Sequence, residues 1–224
     1  MRSPGLGALL LVACGSGTET GNPSDTLRLG VSALPGRAPE GLSVEQASVS
    51  LPSLFVTACP GDAPAGSAGP AAVDLLAPGP HRLEVPGSGD VLCGMTLELA
   101  PSHLAAPAEL AGLSVLFLGM RADGVPFELR STISRHYPLV TNPPDSPLDA
   151  RSLFVGFDLA VWLDAAGVPS LPSDAGAVVV DATHNVTALD SFDAAAVHAI
   201  ALYLDVDRDG VLDPGEDTPV ALAE

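Results

Sequence analysis

Asp205, Asp207, Asp209, Asp213 and Glu216 lie within twelve residues, in the order Asp205-Val206-Asp207-Arg208-Asp209-Gly210-Val211-Leu212-Asp213-Pro214-Gly215-Glu216. Carboxylates this dense repel one another unless a cation sits among them. Calcium is the expected cation, because it takes six to eight oxygens and tolerates irregular geometry. The spacing gives each residue a task. Gly210, having no Cβ, supplies a sharp turn. Asp205, Asp207 and Asp209 offer carboxylates from one side, Val211 its backbone carbonyl, and Asp213 a ligand directly or through water. Glu216 closes the site with both oxygens. Leu212 is expected to point away from the metal into the core. The alternative is a solvated acidic surface loop that holds no ion.

Acidic residues at positions 1, 3, 5 and 9, glycine at 6, an apolar residue at 8 and glutamate at 12 resemble an EF-hand calcium loop. An EF-hand has a helix on each side. Upstream, Leu189, Phe192, Ala196, Val197, Ile200, Ala201 and Leu204 fall at helical spacing, with Asn185 or Asp190 as cap. Downstream only 217–224 follow, interrupted by Thr218-Pro219, so the second helix is short or absent. The resemblance therefore implies an unpaired, half-EF-hand or dockerin-like site of low affinity, on the order of 10⁻⁴ to 10⁻³ M, suited to constant structural calcium.

The other reactive side chains concern address and cross-linking. Arg2, the apolar run from Leu6 to Ala13 and then Cys14 fit a signal peptide, too short to span a membrane. Leu11-Val12-Ala13-Cys14 resembles the lipobox of bacterial lipoproteins, which implies cleavage before Cys14 and a lipid on its sulfur. Residues 15–25 are small, polar and glycine-rich and read as a flexible tether. Gly15 after the cysteine leans the resemblance towards the outer membrane or cell surface of a Gram-negative bacterium. Cys59 and Cys93 remain as an even pair, and an oxidising compartment lets them bridge. Two buried free thiols are the alternative.

The chain carries 27 acidic residues against 9 basic ones, all arginine, for a formal net charge of −18. That excludes nucleic acid as a partner, and equally an electrostatic grip on anionic lipid. Membrane contact would come from the anchor alone.

The elements that must position these residues read as short strands. Proline and glycine are spread along the whole chain, favouring turns over long helices. Leu27, Leu29, Val31 and Ala33 alternate with polar or small residues, as do Ala47, Val49 and Leu51, and Leu54–Cys59 continues after Pro52. Val91, Cys93, Met95, Leu97 and Leu99 are expected to share one inward face. The stretch 61–70 reads as a loose loop. Leu113–Met120 and Val125–Ile133 form a hairpin about Asp123-Gly124. Residues 153–163 begin as a strand and end as a helical turn carrying Trp162, a core anchor. Val178–Val180 reads as a short final strand before the helix. The fold class expected is mainly β: an antiparallel β-sandwich over 26–184, with one C-terminal helix leading into the EF-hand-like loop over 185–224, packed on the same domain.

Thr18–Pro23, Val73-Asp74-Leu75-Leu76, Arg121–Arg130 and Asp205–Glu216 together resemble a group of bacterial lipoproteins with a Cys-anchored tether, a β-sandwich and, in some members, a terminal acidic calcium loop. The resemblance implies a location and a fold, and no activity. The usual nucleophile elbows, zinc motifs and phosphate loops are absent from the sequence. The five histidines, His81, His103, His136, His184 and His198, show no metal spacing. Arg135-His136-Tyr137, read as a loop, is the most site-like polar cluster, and Asp145, Asp149 and Asp158 could pair only if folding brings them together. Three readings follow: a non-enzymatic calcium-binding envelope lipoprotein with a structural or binding role, an adhesin-like or glycan-binding surface domain, and a hydrolase.

Overall fold

The computed structural model describes residues 26–37, 39–59, 66–78, 81–86, 91–101, 108–141, 146–149, 153–209, 211–213, 215–216 and 218–223. Cys14, the signal peptide, the tether, His103, Asp145 and Gly210 lie outside them.

The strands are β1 (Thr26–Ala33), β2 (Leu42–Leu51), β3 (Ser53–Ala58), β4 (Ser67–Ala68), β5 (Ala71–Asp74), β6 (His81–Pro86), β7 (Val91–Leu99) and β8 (Val115–Arg121). Then come β9 (Pro126–Ser131), β10 (Arg135–Thr141), β11 (Leu148–Asp149), β12 (Leu153–Phe157), β13 (Val178–Val180), β14 (Ile200–Leu204) and β15 (Ala221–Ala223). Helix α1 (Leu159–Ala166) follows β12, and α2 (Val186–Ala199) precedes β14. The ten-stranded sheet runs β4-β3-β7-β10-β15-β14-β12-β1-β6, with β11 on β7; the five-stranded sheet runs β13-β9-β8-β2-β5. Their inner faces share one apolar core, in a sandwich-like arrangement.

Trp162 of α1 is wholly buried at the centre of an aromatic group. It stacks on Phe192 of α2 at 4.8 Å and on Phe157 of β12 at 6.1 Å, while Phe117 of β8 meets it edge-on at 5.4 Å. Its indole N–H donates to the Phe192 carbonyl at 2.9 Å, so its one polar atom is satisfied. The sequence places α1 here because Asp158 caps it: the carboxylate accepts from the Ala160 and Val161 N–H groups at 3.1 Å. Gly167, at φ 64°, ends the helix in the left-handed conformation.

The hairpin β8–β9 and the strand-then-helix of residues 153–166 lie where periodicity puts them. Five expectations need correction. Among the described residues there are two α-helices, not one. α2 does not lead into the acidic loop: it stops at Ala199, and Ile200–Leu204 is strand β14. An unbroken apolar run satisfies helical and strand periods alike, and sheet pairing decided it. Val178–Val180 is the last strand before α2, as expected, and two further strands follow that helix. The sheets are not purely antiparallel, since β1 pairs β12 and β13 pairs β9 in parallel. Part of the expected loose loop is strand β4, paired to β3. Finally, the alternation along β7 breaks near Cys93: Thr57 pairs with Gly94 but Ala58 with Leu92, so β7 carries an extra residue. This bulge turns Leu92 into the core and leaves Val91 exposed. Cys93 is instead buried in a disulfide to Cys59, with S–S 2.08 Å and Cα–Cα 4.8 Å, which staples β7 to the end of β3.

Candidate metal centre

The acidic loop is the connection of a β-hairpin inside the large sheet. β14 delivers Asp205 at its end, and after residue 220 the chain returns as β15, antiparallel to β14 with Ala201 opposite Leu222. Val220 donates to the Leu202 carbonyl at 2.8 Å and closes the mouth of the loop. Leu212 is buried, on the outer face of the sheet, in a second small core with Leu34, Phe154, Ala201 and Tyr203. It is buried, as its position in the spacing calls for, but in this outer cluster and not in the core between the sheets. Gly156 makes room for this cluster: a Cβ there would lie 2.6 Å from the Tyr203 ring.

Oxygen atoms of Asp205, Asp207 and Asp209 all lie within 4.8 Å of one another. Oxygens that share a cation at 2.3–2.6 Å can be no farther apart than about twice that, so this separation admits one ion. Asp205 is only 5 % exposed, whereas Asp207 and Asp209 face solvent. Backbone donors orient all three. Arg208 N–H donates to Asp205 Oδ1 at 2.7 Å, Val211 N–H to Asp209 Oδ1 at 2.7 Å, and Asp209 N–H to Asp207 Oδ1 at 3.3 Å.

Glu216 does not join that trio. Its carboxylate spans the ring of the loop, accepting from Val206 N–H at 2.6 Å and from Asp213 N–H at 2.9 Å. Asp213 lies exposed in the same loop, outside the close group, and Val211 is exposed beside it. Of six expected ligands, then, three carboxylates converge and a fourth bridges the loop ends. This donor set is all oxygen and anionic, as a hard cation requires.

Besides the burial of Leu212, two contacts that no local spacing announces tie the loop to the sheet. Arg82 on β6 donates to the Asp209 carbonyl at 2.6 Å. Arg208, at φ 64°, pairs with Asp149 of β11 at 2.9 Å. Sequence reading missed both arginines because their partners lie 127 and 59 residues away.

The other polar groups disperse. Arg135, His136 and Tyr137 sit on β10 rather than in a loop, so alternation sends neighbours to opposite faces. His136 is exposed, 3.8 Å from Glu98, while Tyr137 is fully buried, its hydroxyl without a partner among the described residues. Burial pushes that phenol up to about 12, with Arg135 lowering it and Asp193 raising it. Asp149 and Asp158 lie beyond opposite ends of β12, the second held by Arg37 at 2.7 Å, and form no pair. Asp193 on α2 accepts from Ser131 Oγ at 2.6 Å. Burial raises its carboxyl above the usual range, more than the Ser131 bond and Arg135 lower it, with Asp190 adding to the rise. Asp181 is the reverse: burial pushes its carboxyl up, but hydrogen bonds from Thr183 and His184 together hold it well below the carboxylate range. Those bonds fold the turn that begins α2, whose cap position is Asn185; its side chain donates to the Val179 carbonyl instead of capping.

No helix among the described residues is long and apolar enough to cross a membrane. The chain matches no protein-family model, and no curated protein or solved structure matches it.

Proposed function

We propose that this protein is a non-enzymatic, calcium-binding lipoprotein of the bacterial envelope, in which calcium fastens the β14–β15 hairpin. The observation that carries the calcium reading is the convergence of Asp205, Asp207 and Asp209 within 4.8 Å in a loop that also sets Glu216 across its ends. Calcium would draw on these four carboxylates, on Asp213 and on the Val211 carbonyl. Its role is structural, because the loop sits within the connection of two central strands and not in a cleft. The anchor reading rests on Leu11-Val12-Ala13-Cys14, with the lipid on Cys14 holding the domain at the outer membrane and its surface left to a protein or glycan partner.

The test is a calorimetric calcium titration of the full chain carrying Cys14→Ser, with melting followed in calcium and in chelator. One site with a Kd near 0.1 mM should raise stability by about 1.4 kcal/mol at 1 mM calcium. No heat, and a melt indifferent to chelator, would leave an acidic turn and end the calcium reading. For the anchor, the mass of the unsubstituted protein from bacterial membranes should show a lipid on Cys14 and nothing before it.

A further inference from the structure

β15 is three residues long, yet it lies in the interior of the large sheet, between β10 and β14. In the hydrogen-bonded order it joins the β4–β10 half to the β14–β6 half, whose outer ends, β4 and β6, also lie against each other. Its grip is almost entirely backbone. Leu139, Val140 and Thr141 pair with it on one side, and Ala201 and Leu202 on the other. Its inward side chains are only Ala221 and Ala223, and Leu222 points outward, 59 % exposed. The strand itself can leave its slot without pulling a large side chain from the core, although opening its connection also withdraws Leu212 from the outer cluster, and an empty slot strands backbone donors and acceptors on both flanks. Whatever refills it must be extended, antiparallel to both neighbours, and small on its inner face. β15 of a second copy meets each requirement by identity.

The connection that would have to open is long enough. Residues 205–220 number sixteen and, extended, reach about 50 Å. They carry six acidic side chains and one basic one, so without a counter-ion the closed hairpin crowds like charges that an extended connection separates.

We propose that the hairpin is a clasp, an inference that rests on the loop binding calcium. With the ion, β15 stays in its own sheet; without it, β15 is exchanged reciprocally between two copies, giving a symmetric dimer. Closed, the short connection keeps β15 at high effective concentration beside its own slot and makes exchange uncompetitive.

The test uses the full chain carrying Cys14→Ser, sized by light scattering from roughly 10 μM to 1 mM, where intramolecular and intermolecular closure compete. Calcium should give monomer throughout. Chelator should give a dimer that grows with concentration and returns to monomer when calcium is restored. Isotope-labelled and unlabelled chains mixed in chelator should yield mixed dimers by native mass spectrometry. Leu222→Pro, which removes a backbone donor in mid-strand, should abolish the dimer; a dimer that survives it is not made by β15 and overturns the proposal. Calcium heat with a chelated monomer at every concentration overturns the exchange alone. Absence of calcium heat overturns the calcium reading, and the clasp with it.

Discussion

Asp205 and Leu212 face opposite demands within one loop. The first brings a carboxylate to the edge of the buried sheet, and the second fills a hydrophobic recess on that sheet's outer face. Glu216 completes the ring by bridging Val206 and Asp213, so Glu216→Gln replaces one acceptor oxygen with a donor facing an N–H group. We expect calcium affinity to fall at least about tenfold, the loss seen even for partners outside the coordination sphere, read by the same titration. A second prediction concerns pH. Burial keeps the Asp193 carboxyl above its unfolded value of 3.8, so the folded state holds that proton longer and stability falls as pH rises from 3.8 to the folded value. Asp193→Asn preserves an acceptor for Ser131 and removes the charge. Its melting temperature should equal or exceed that of the parent at pH 7, and the advantage should disappear below pH 3.8; a lower melt at pH 7 counts against it. Asp181 has the opposite sign, since its depressed carboxyl contributes stability above 3.8 that is lost as acid protonates it. Spacing alone drew attention to the carboxylates of the loop, because they stand at the fixed offsets that a calcium-loop motif requires. It could not reveal Arg82 or Asp149, which meet the loop only through the fold.

Elements were legible where two signals agreed and illegible where one was missing. The β8–β9 hairpin has both alternating apolar residues and an Asp-Gly turn, and Gly124 adopts φ 81° there. α2 has a clear start, but no glycine or proline marks its end before Ile200, so its apparent periodicity ran on through β14. Parallel pairing of β1 with β12 leaves no local trace at all, because partners more than a hundred residues apart share no turn. Close backbone approach is likewise invisible in sequence. Gly119 on β8 lies beside the irregular pairing at Val44–Gln46, and a Cβ there would fall 2.1 Å from the Ser43 carbonyl oxygen. That oxygen belongs to the neighbouring strand and cannot rotate away. Gly119→Ala should therefore destabilise by about 1–3 kcal/mol, visible as a lower urea midpoint with unchanged slope.

At the scale of the molecule, the chain carries a formal charge of −18, and its large sheet combines one disulfide with an interior three-residue strand. The bridge closes a span of 34 residues, so reduction should cost about 4 kcal/mol on the chain-entropy account. A melt lowered by roughly 10 °C would agree with that; an unchanged melt in reductant would show that strand pairing alone suffices. Trp162, the only tryptophan, adds one more consequence. Its ring is sealed between Phe192 and Phe157 on the inner side of the sheet whose outer side carries Leu212 and the acidic loop. Its emission should be blue-shifted, and quenchers dissolved in the buffer should scarcely reach it. Opening the loop should leave that light unchanged, and only separation of the two helices should redden it. The chain thus contains its own optical gauge for telling a local event at the hairpin from loss of the whole fold.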